Sequence, residues 1–411
     1  MPQDRLDLAL AADLEERNAK GILKGAEFVI TEVVLGDGRR GPRFRLQGEG
    51  DRLFLKMNSN NYLGMSLKPE VIAAEEETCR AFGVGPGAVR FISGTYRQHI
   101  ELEERLAAFH SREAVMLFSS AYATTLGVMV PLITADTAVI SDELNHNCII
   151  NAMRLARPQE KYVYRHLDLD ELDQRLTAAA AAGCRRAIVV TDGVFSMRGD
   201  HAPMPEIIAL VRRHDAKFPE NVAVMMDDSH GIGAFGKTGR GTEEATGATG
   251  IDILVGTLGK AFGVNGGYVA GSATLIRFLR ESAATYIYSN PITMAEAAAA
   301  KKAVDILDSP AGLALLEHLR AMTRRFEAGL LALGYETIPG EHPVTPLMVR
   351  DTPKNAALVR HLRTHGILAT GLNYPVVPRG DESIRFQISA DHTPYDIDSV
   401  LEVLASFPGR G

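Results

Sequence analysis

Val222-Ala223-Val224-Met225-Met226-Asp227-Asp228-Ser229-His230 and Ile251-Asp252-Ile253-Leu254-Val255-Gly256-Thr257-Leu258-Gly259-Lys260 are the two stretches that decide the fold. Each is an apolar run that stops abruptly at polar, chemistry-bearing residues. A third short run, Gly267-Tyr268-Val269-Ala270-Gly271, follows Ala261-Phe262-Gly263. Unbroken apolar runs fit strands covered on both faces, and in such sheets ligands gather where strands end. A carboxylate, an imidazole and an amine (Asp227, His230 and Lys260) are therefore expected to converge on one crevice.

Outward from this core, helix and strand patterns alternate from Asn60 for over two hundred residues. Pro69 to Phe82 and His99 to Phe109 read as amphipathic helices. Val115 to Phe118, Ala138 to Ile140 and Ala187 to Val190 read as buried strands. Ser119-Ser120-Ala121-Tyr122 and Asn145-His146-Asn147 each open a helix, and Thr191-Asp192-Gly193-Val194-Phe195-Ser196 ends a strand. The succession predicts an α/β fold, a mostly parallel sheet with helices on both faces.

Residues 1 to about 20 read as a helix, followed by short strands to Leu55. After Pro291 a long alanine-rich helical region, Ile292 to Gly334, leads into a smaller α+β unit. That unit has strands near Pro346 to Val349 and Ile384 to Ile388, and helices near Asn355 to His365 and Tyr395 to Ser406. The expected division is an N-terminal segment 1–58, a large domain 59–291 and a small domain 292–411.

A formal net charge of -7 and a charged fraction of 23% give no electrostatic reason to expect nucleic acid or an anionic membrane as partner. No apolar stretch approaches the roughly 18 residues of a membrane span, and Met1-Pro2-Gln3-Asp4-Arg5-Leu6 is not a basic-then-apolar leader. Cys79, Cys148 and Cys184 lack metal spacing and read as packed core thiols. The expectation is a cytoplasmic protein without a metal site.

Two motifs match nucleotide-binding expressions by letter. Gly36-Asp37-Gly38-Arg39-Arg40-Gly41 precedes Pro42 and the alternating Phe44-Arg45-Leu46, so it reads as a hairpin turn rather than a dinucleotide loop. Gly231-Ile232-Gly233-Ala234-Phe235-Gly236-Lys237-Thr238 satisfies the P-loop expression, but Gly239-Arg240-Gly241 would spoil the helix that must hold the phosphates. Lys260 offers another chemistry. A desolvated amine at a strand end can lose its proton and act as a Schiff-base lysine. Pyridoxal phosphate also needs a carboxylate for its ring nitrogen, a phosphate cup and a group against its ring, which Asp227, the Ser120-Ala121-Tyr122 turn and His146 can supply.

Blocks across nearly the whole chain, Ile22 to Phe407, resemble the α-oxoamine synthases, fold-type I pyridoxal-phosphate enzymes that join an amino acid to an acyl-CoA. They are Asn60-Asn61-Tyr62-Leu63-Gly64, Val89 to Thr95, Asp192 to Met197, Asp227 to Gly231, Thr257 to Ala261, and Tyr374 to Pro378. The resemblance implies a seven-stranded sheet in the large domain and a homodimer with shared active sites. It assigns Lys260 to covalent cofactor attachment, Asp227 to the pyridinium nitrogen, His146 to the ring face, and His230 and Ser196 to the phenolic oxygen. Thr257 and the backbone of Ala121 and Tyr122 would hold the phosphate, with Ser289 reaching across the dimer interface. Arg385 matches the clamp for the substrate carboxylate, and Asn61 would lie near bound substrate.

Three positions depart from the family pattern: Arg198 in place of an aspartate, Thr124-Thr125 beyond the phosphate turn, and Val264-Asn265 before Gly266-Gly267. Arg198 reads as one half of a surface salt bridge, and Val264 bears on acyl-chain access. The branch most resembled is glycine C-acetyltransferase, through Val89 to Thr95, Asp227 to His230, Tyr374 to Pro378 and Gln387 to Thr393, while Leu372-Asn373-Tyr374-Pro375 also resembles aminolevulinate synthase. Glycine with a short acyl-CoA is the expected substrate pair. A longer acyl chain or alanine, an aminotransferase of the same fold, a catalytically silent partner subunit and a P-loop ATPase are the rivals.

Overall fold

The computed structural model describes residues 4–20, 22–23, 27–374 and 376–409. Residues 1–3 of the expected first helix, and Pro375 within the Tyr374 to Pro378 block, lie outside the described residues.

Seven strands form the central sheet: β1 (Ala114–Phe118), β2 (Thr137–Asp142), β3 (Glu160–Tyr164), β4 (Arg186–Asp192), β5 (Val222–Asp227), β6 (Ile253–Thr257) and β7 (Gly267–Gly271). Their order is β1-β7-β6-β5-β4-β2-β3. All neighbours are parallel except β7, which runs antiparallel to both β1 and β6. The mostly parallel seven-stranded α/β sheet expected from the sequence is present.

Side chains alternate across a strand, so an unbroken apolar run requires a core on each side. Val222, Val224 and Met226 of β5 enter one hydrophobic core, while Met225 enters the other. Leu254 of β6 joins the first core, and Ile253 and Val255 join the second. Full burial of such a side chain contributes about 1.5–3 kcal/mol, which fixes the register, since a one-residue slip would exchange the two sets. Helices Leu169–Ala181 and Met204–His214 cover the first face, and Ala121–Leu132, Asn147–Ala156 and Ala273–Ser282 the second.

The edge strand β3 was not expected from the sequence. Its residues Glu160-Lys161-Tyr162-Val163-Tyr164 are half-buried or exposed up to Tyr164, and such an edge does not produce an apolar run.

The alanine-rich region expected as one helical stretch is two helices, Met294–Leu307 and Pro310–Ala332. Ser309 caps the second, with Pro310 in its first turn, where a missing N–H costs nothing. The first packs against helices Pro69–Phe82 and Arg97–Phe109 of the large α/β layer. Ala297, Ala299, Ala300 and Ala303 are fully buried there.

A four-stranded antiparallel sheet follows, in the order Glu336–Thr337, Val344–Met348, Ser383–Gln387, Thr370–Leu372. Helices Thr352–Thr364 and Pro394–Ala405 accompany it. The N-terminal stretch has a helix, Asp4–Ala19, with no buried residue, and a hairpin of Ile30–Val34 with Arg43–Leu46. The hairpin reading of Gly36 to Gly41 therefore holds. A Cβ on Gly41 would lie 2.2 Å from the Asp391 carbonyl oxygen, so glycine here serves backbone packing and not a dinucleotide. Leu55–Lys56 pairs in parallel with Ile367–Leu368, stitching this stretch to the C-terminal unit.

Candidate active site

Strands β4, β5 and β6 run parallel, so their carboxyl ends deliver Asp192, Asp227 and Thr257 to one edge of the sheet. The turns that follow carry Ser196, His230 and Lys260. Two helices begin at the same edge. Ser120 caps Ala121–Leu132 through its hydroxyl, which accepts the Ala123 N–H at 3.1 Å. His146 caps Asn147–Ala156, its Nδ1 accepting the Cys148 N–H at 3.3 Å. That contact places any proton of a neutral ring on Nε2.

A cavity of about 50 Å³ lies between these ends. Ala121, Tyr122, His146, Ser196, Asp227, His230 and Lys260 all line it, so seven residues singled out in the sequence meet in one place. A second cavity of about 580 Å³ also touches Lys260 and is lined by Asn61, Val264, Phe28 and Ile30. Asn61 Nδ2 donates to Ser66 Oγ at 2.9 Å. Arg385 reaches the site from the C-terminal sheet, its Nη1 donating to the Ser196 carbonyl at 3.0 Å.

Two residues stand apart. Thr257 does not line the inner cavity; its hydroxyl donates to the Gly266 carbonyl at 3.2 Å and accepts the Gly259 N–H at 3.2 Å. Ser289 is half-buried outside both cavities, its hydroxyl donating to the Asn290 carbonyl at 3.4 Å.

Burial strips water from Lys260 and brings its amine down to about 8, against the pull of Asp227 and Asp192. Loss of solvent also lowers the His146 ring, again opposed by Asp227. His230 is held well below the ordinary imidazole range by burial and then by Lys260. The site thus keeps two neutral imidazoles beside an amine that loses its proton near neutral pH.

Four residues without a role assigned in the sequence also belong here. Asp192 lines the cavity. Tyr62 bonds His230, and His342 Nε2 donates to the His230 carbonyl at 2.8 Å. Cys148 is buried as expected, yet its thiol faces the site, 3.0 Å from His146 Nδ1 and 3.8 Å from Asp227 Oδ2. The core-thiol expectation stands for Cys148 and Cys184, each packed in a hydrophobic core, and is corrected for Cys79, which is only half-buried. Asp192 ends a buried apolar strand as Asp227 does, a signal that could have marked it.

The P-loop letters form no phosphate cradle. The next helix, Thr242–Thr246, begins four residues beyond Thr238 and has five residues. Lys237 is exposed, and the Thr238 hydroxyl donates to the Glu244 carboxylate at 2.8 Å, where a phosphate would be repelled. Arg198 makes the expected salt bridge, to Asp200 at 2.8 Å. The Thr124 and Thr125 hydroxyls turn back to the Ser120 and Ala121 carbonyls at 2.9 and 3.1 Å, inside their own helix.

The family model described as aminotransferase class I and II matches residues 53–404. The chain is 40% identical to the mitochondrial 2-amino-3-ketobutyrate coenzyme A ligase of Homo sapiens over 395 residues, 96% of this chain and 90% of the relative. It is also 40% identical to 8-amino-7-oxononanoate synthase 1 of Bacillus velezensis, over 90% of this chain and 91% of the relative. The chain belongs to the α-oxoamine synthase family. A Sphingomonas wittichii serine palmitoyltransferase structure superposes with a TM-score of 0.87 at 27% identity, covering 98% of this chain and 97% of that one. Another serine palmitoyltransferase, solved with pyridoxal phosphate, superposes with a TM-score of 0.84.

This α-oxoamine synthase is a pyridoxal-phosphate enzyme of the acyltransferase type with a fold-type I architecture, and its own cavity fits that cofactor. The first N–H groups of helix Ala121–Leu132 have no intrahelical partner and suit an anion. A Cβ on Gly267 would lie 2.3 Å from the Ala121 nitrogen, so only glycine lets β7 come this close to the helix start. Around the cavity, Asp192 Oδ1, Ser229 Oγ and Arg385 Nε are buried without a hydrogen-bond partner among the described residues. Orphaned polar atoms are costly, and a polar occupant removes that cost. Among the described residues no acidic, histidine and cysteine cluster could hold a metal, and no helix is long and apolar enough to cross a membrane.

Proposed function

We propose that the protein condenses glycine with a short, acetyl-like acyl-CoA and releases free CoA, acting as a cytoplasmic homodimer. The observation that carries this reading is the 40% identity with a 2-amino-3-ketobutyrate coenzyme A ligase across 96% of the chain. Val264, a buried β-branched residue, lines the 580 Å³ cavity beside Lys260 and so bears on which acyl chain enters.

Pyridoxal phosphate, once bound, supplies a carbonyl for covalent attachment and a ring that stores negative charge. Lys260 holds the cofactor and takes the proton from the substrate Cα, a task for which an amine brought to about 8 is suited. Asp227 would pair with the ring nitrogen, and His146 would lie against the ring. His230 and Ser196 would hydrogen-bond the phenolic oxygen. The Ala121 and Tyr122 backbone and Thr257 would hold the phosphate, with Ser289 serving the neighbouring subunit's site. Arg385 clamps the amino-acid carboxylate through its planar fork, and Asn61 adjoins the substrate. Because the larger cavity opens beside Lys260, it would admit the acyl thioester to the substrate Cα, where a carbon–carbon bond would form as the carbon–sulfur bond breaks and CoA leaves as thiolate.

A second reading, a longer acyl donor, draws on the equal identity with an 8-amino-7-oxononanoate synthase. Purified protein incubated with a grid of amino acids and acyl-CoAs, reading free thiol, separates the two. Thiol release with glycine and acetyl-CoA is expected. No release with glycine and any short thioester sinks the proposal.

A further inference from the structure

Asp192 ends β4 immediately beside Asp227 in the sheet register and is 4% exposed. Two hydrogen bonds fix its position. Its own N–H donates to Asn145 Oδ1 at 2.8 Å, and Asn145 Nδ2 in turn donates to the Val190 carbonyl and to Ser141 Oγ, both at 2.8 Å. Its Oδ2 accepts the backbone N–H of His146 at 3.1 Å. The remaining oxygen, Oδ1, has no partner among the described residues, although the side chain lines the cofactor cavity. A carboxyl oxygen buried this deeply is costly unless something in the cavity completes it.

We propose that Asp192 belongs to the cofactor-binding set: Oδ2 positions His146, and Oδ1 hydrogen-bonds a polar group of bound pyridoxal phosphate. The inference rests on the cofactor site and is independent of the acyl donor chosen above. The protonation state follows from the surroundings. Asp142, Asp227 and Lys260 are the charged groups around this carboxyl, and burial, then the Asp227 charge, push it well above the usual carboxylate range. Burial and the adjacent carboxylate therefore favour the protonated form of Asp192. Oδ1 is then an O–H donor aimed into the cavity, with Oδ2 left as the acceptor for His146.

A neutral acid has a close isostere in an amide, which makes the assignment testable. Asp192→Asn keeps an acceptor for the His146 N–H and a donor toward the cavity, whereas Asp192→Ala removes both. Holoenzymes of both variants are dialysed, and the apparent Kd for pyridoxal phosphate and the visible band of the resting enzyme are measured. Thermal midpoints of the cofactor-free chains establish that each variant folds. Expected is about a tenfold weaker Kd and a displaced band for Asp192→Ala. Asp192→Asn should bind within about threefold of the parent with its band in place. The proposal is overturned if Asp192→Ala keeps the parent's Kd and band. It is equally overturned if folded Asp192→Asn loses cofactor as Asp192→Ala does, because the carboxyl would then act as an anion. Should Asp192→Ala fail to fold, the Asp192→Asn measurement alone decides.

Discussion

The Tyr62 hydroxyl lies 2.8 Å from Nδ1 of His230, with the tyrosine fully buried and the imidazole nearly so. Burial pushes the phenol well up and the imidazole well down, so Tyr62 keeps its proton and His230 stays neutral. The same hydroxyl also lies 3.3 Å from Asn60 Oδ1. A residue from the Asn60-Asn61-Tyr62 segment thus holds one that closes β5, 168 positions away.

Tyr62→Phe removes this hydroxyl and leaves the ring shape intact. We expect kcat to fall about tenfold, the cost of one buried hydrogen bond, with a displaced visible band and little change in thermal midpoint. Steady-state kinetics and absorption spectra are the check; an unchanged kcat would show that this bond does not position His230 for the reaction.

Lys260→Ala should abolish both the visible band of bound cofactor and turnover. In the parent, the amine attacks only as the free base, which is the minor form below about 8. The rate at which cofactor-free protein captures pyridoxal phosphate should therefore rise with pH and level off above about 8. A rate that keeps climbing beyond pH 9 without levelling off would contradict the depressed amine.

Arg385→Lys replaces a planar two-pronged donor with a point charge. The amino-acid KM should rise about 10- to 100-fold, while the KM for acyl-CoA stays near the parent value. An equal rise in both constants would show that Arg385 only holds the Ser196 turn, whose carbonyl it bonds at 3.0 Å.

His166 sits between Asp142 and Asp200, at 3.1 and 3.2 Å, behind the loop that carries Ser196. Burial opposes its charge, but hydrogen bonds to both carboxylates outweigh burial and raise the ring to about 9. A raised folded-state pKa adds stability that is complete below about 6.5 and disappears as pH rises through about 9. Relative to His166→Gln, the parent should therefore lose ~2 kcal/mol of stability between those limits. Denaturant melts at pH 6.5 and 9.5 test this, and a constant difference between the two proteins would rule it out.

Strong local signals were legible. The runs ending at Asp192, Asp227 and Lys260 became strands of the central sheet because unbroken apolar runs have few other places to go. Pro69 to Phe82 is a helix with the bounds its periodicity gave. Weaker signals failed where context decides. The edge strand Glu160–Tyr164 carries no apolar run, while the break at Asp308-Ser309-Pro310, a cap followed by proline, was passed over inside a long alanine-rich stretch.

The sequence alone determined which chemical groups end each buried strand, and with them the family and the cofactor. It could not determine partnership across the chain. That Tyr62 meets His230, that Arg385 returns from the C-terminal sheet to Ser196, and that Asp192 keeps one oxygen unpartnered beside Asp227 all depend on packing between distant segments. Local pattern encodes burial and period, whereas tautomers and protonation states are set by the charges and dipoles that the fold brings together. The crevice predicted from two strand ends is therefore a site whose protons are placed by residues elsewhere in the chain.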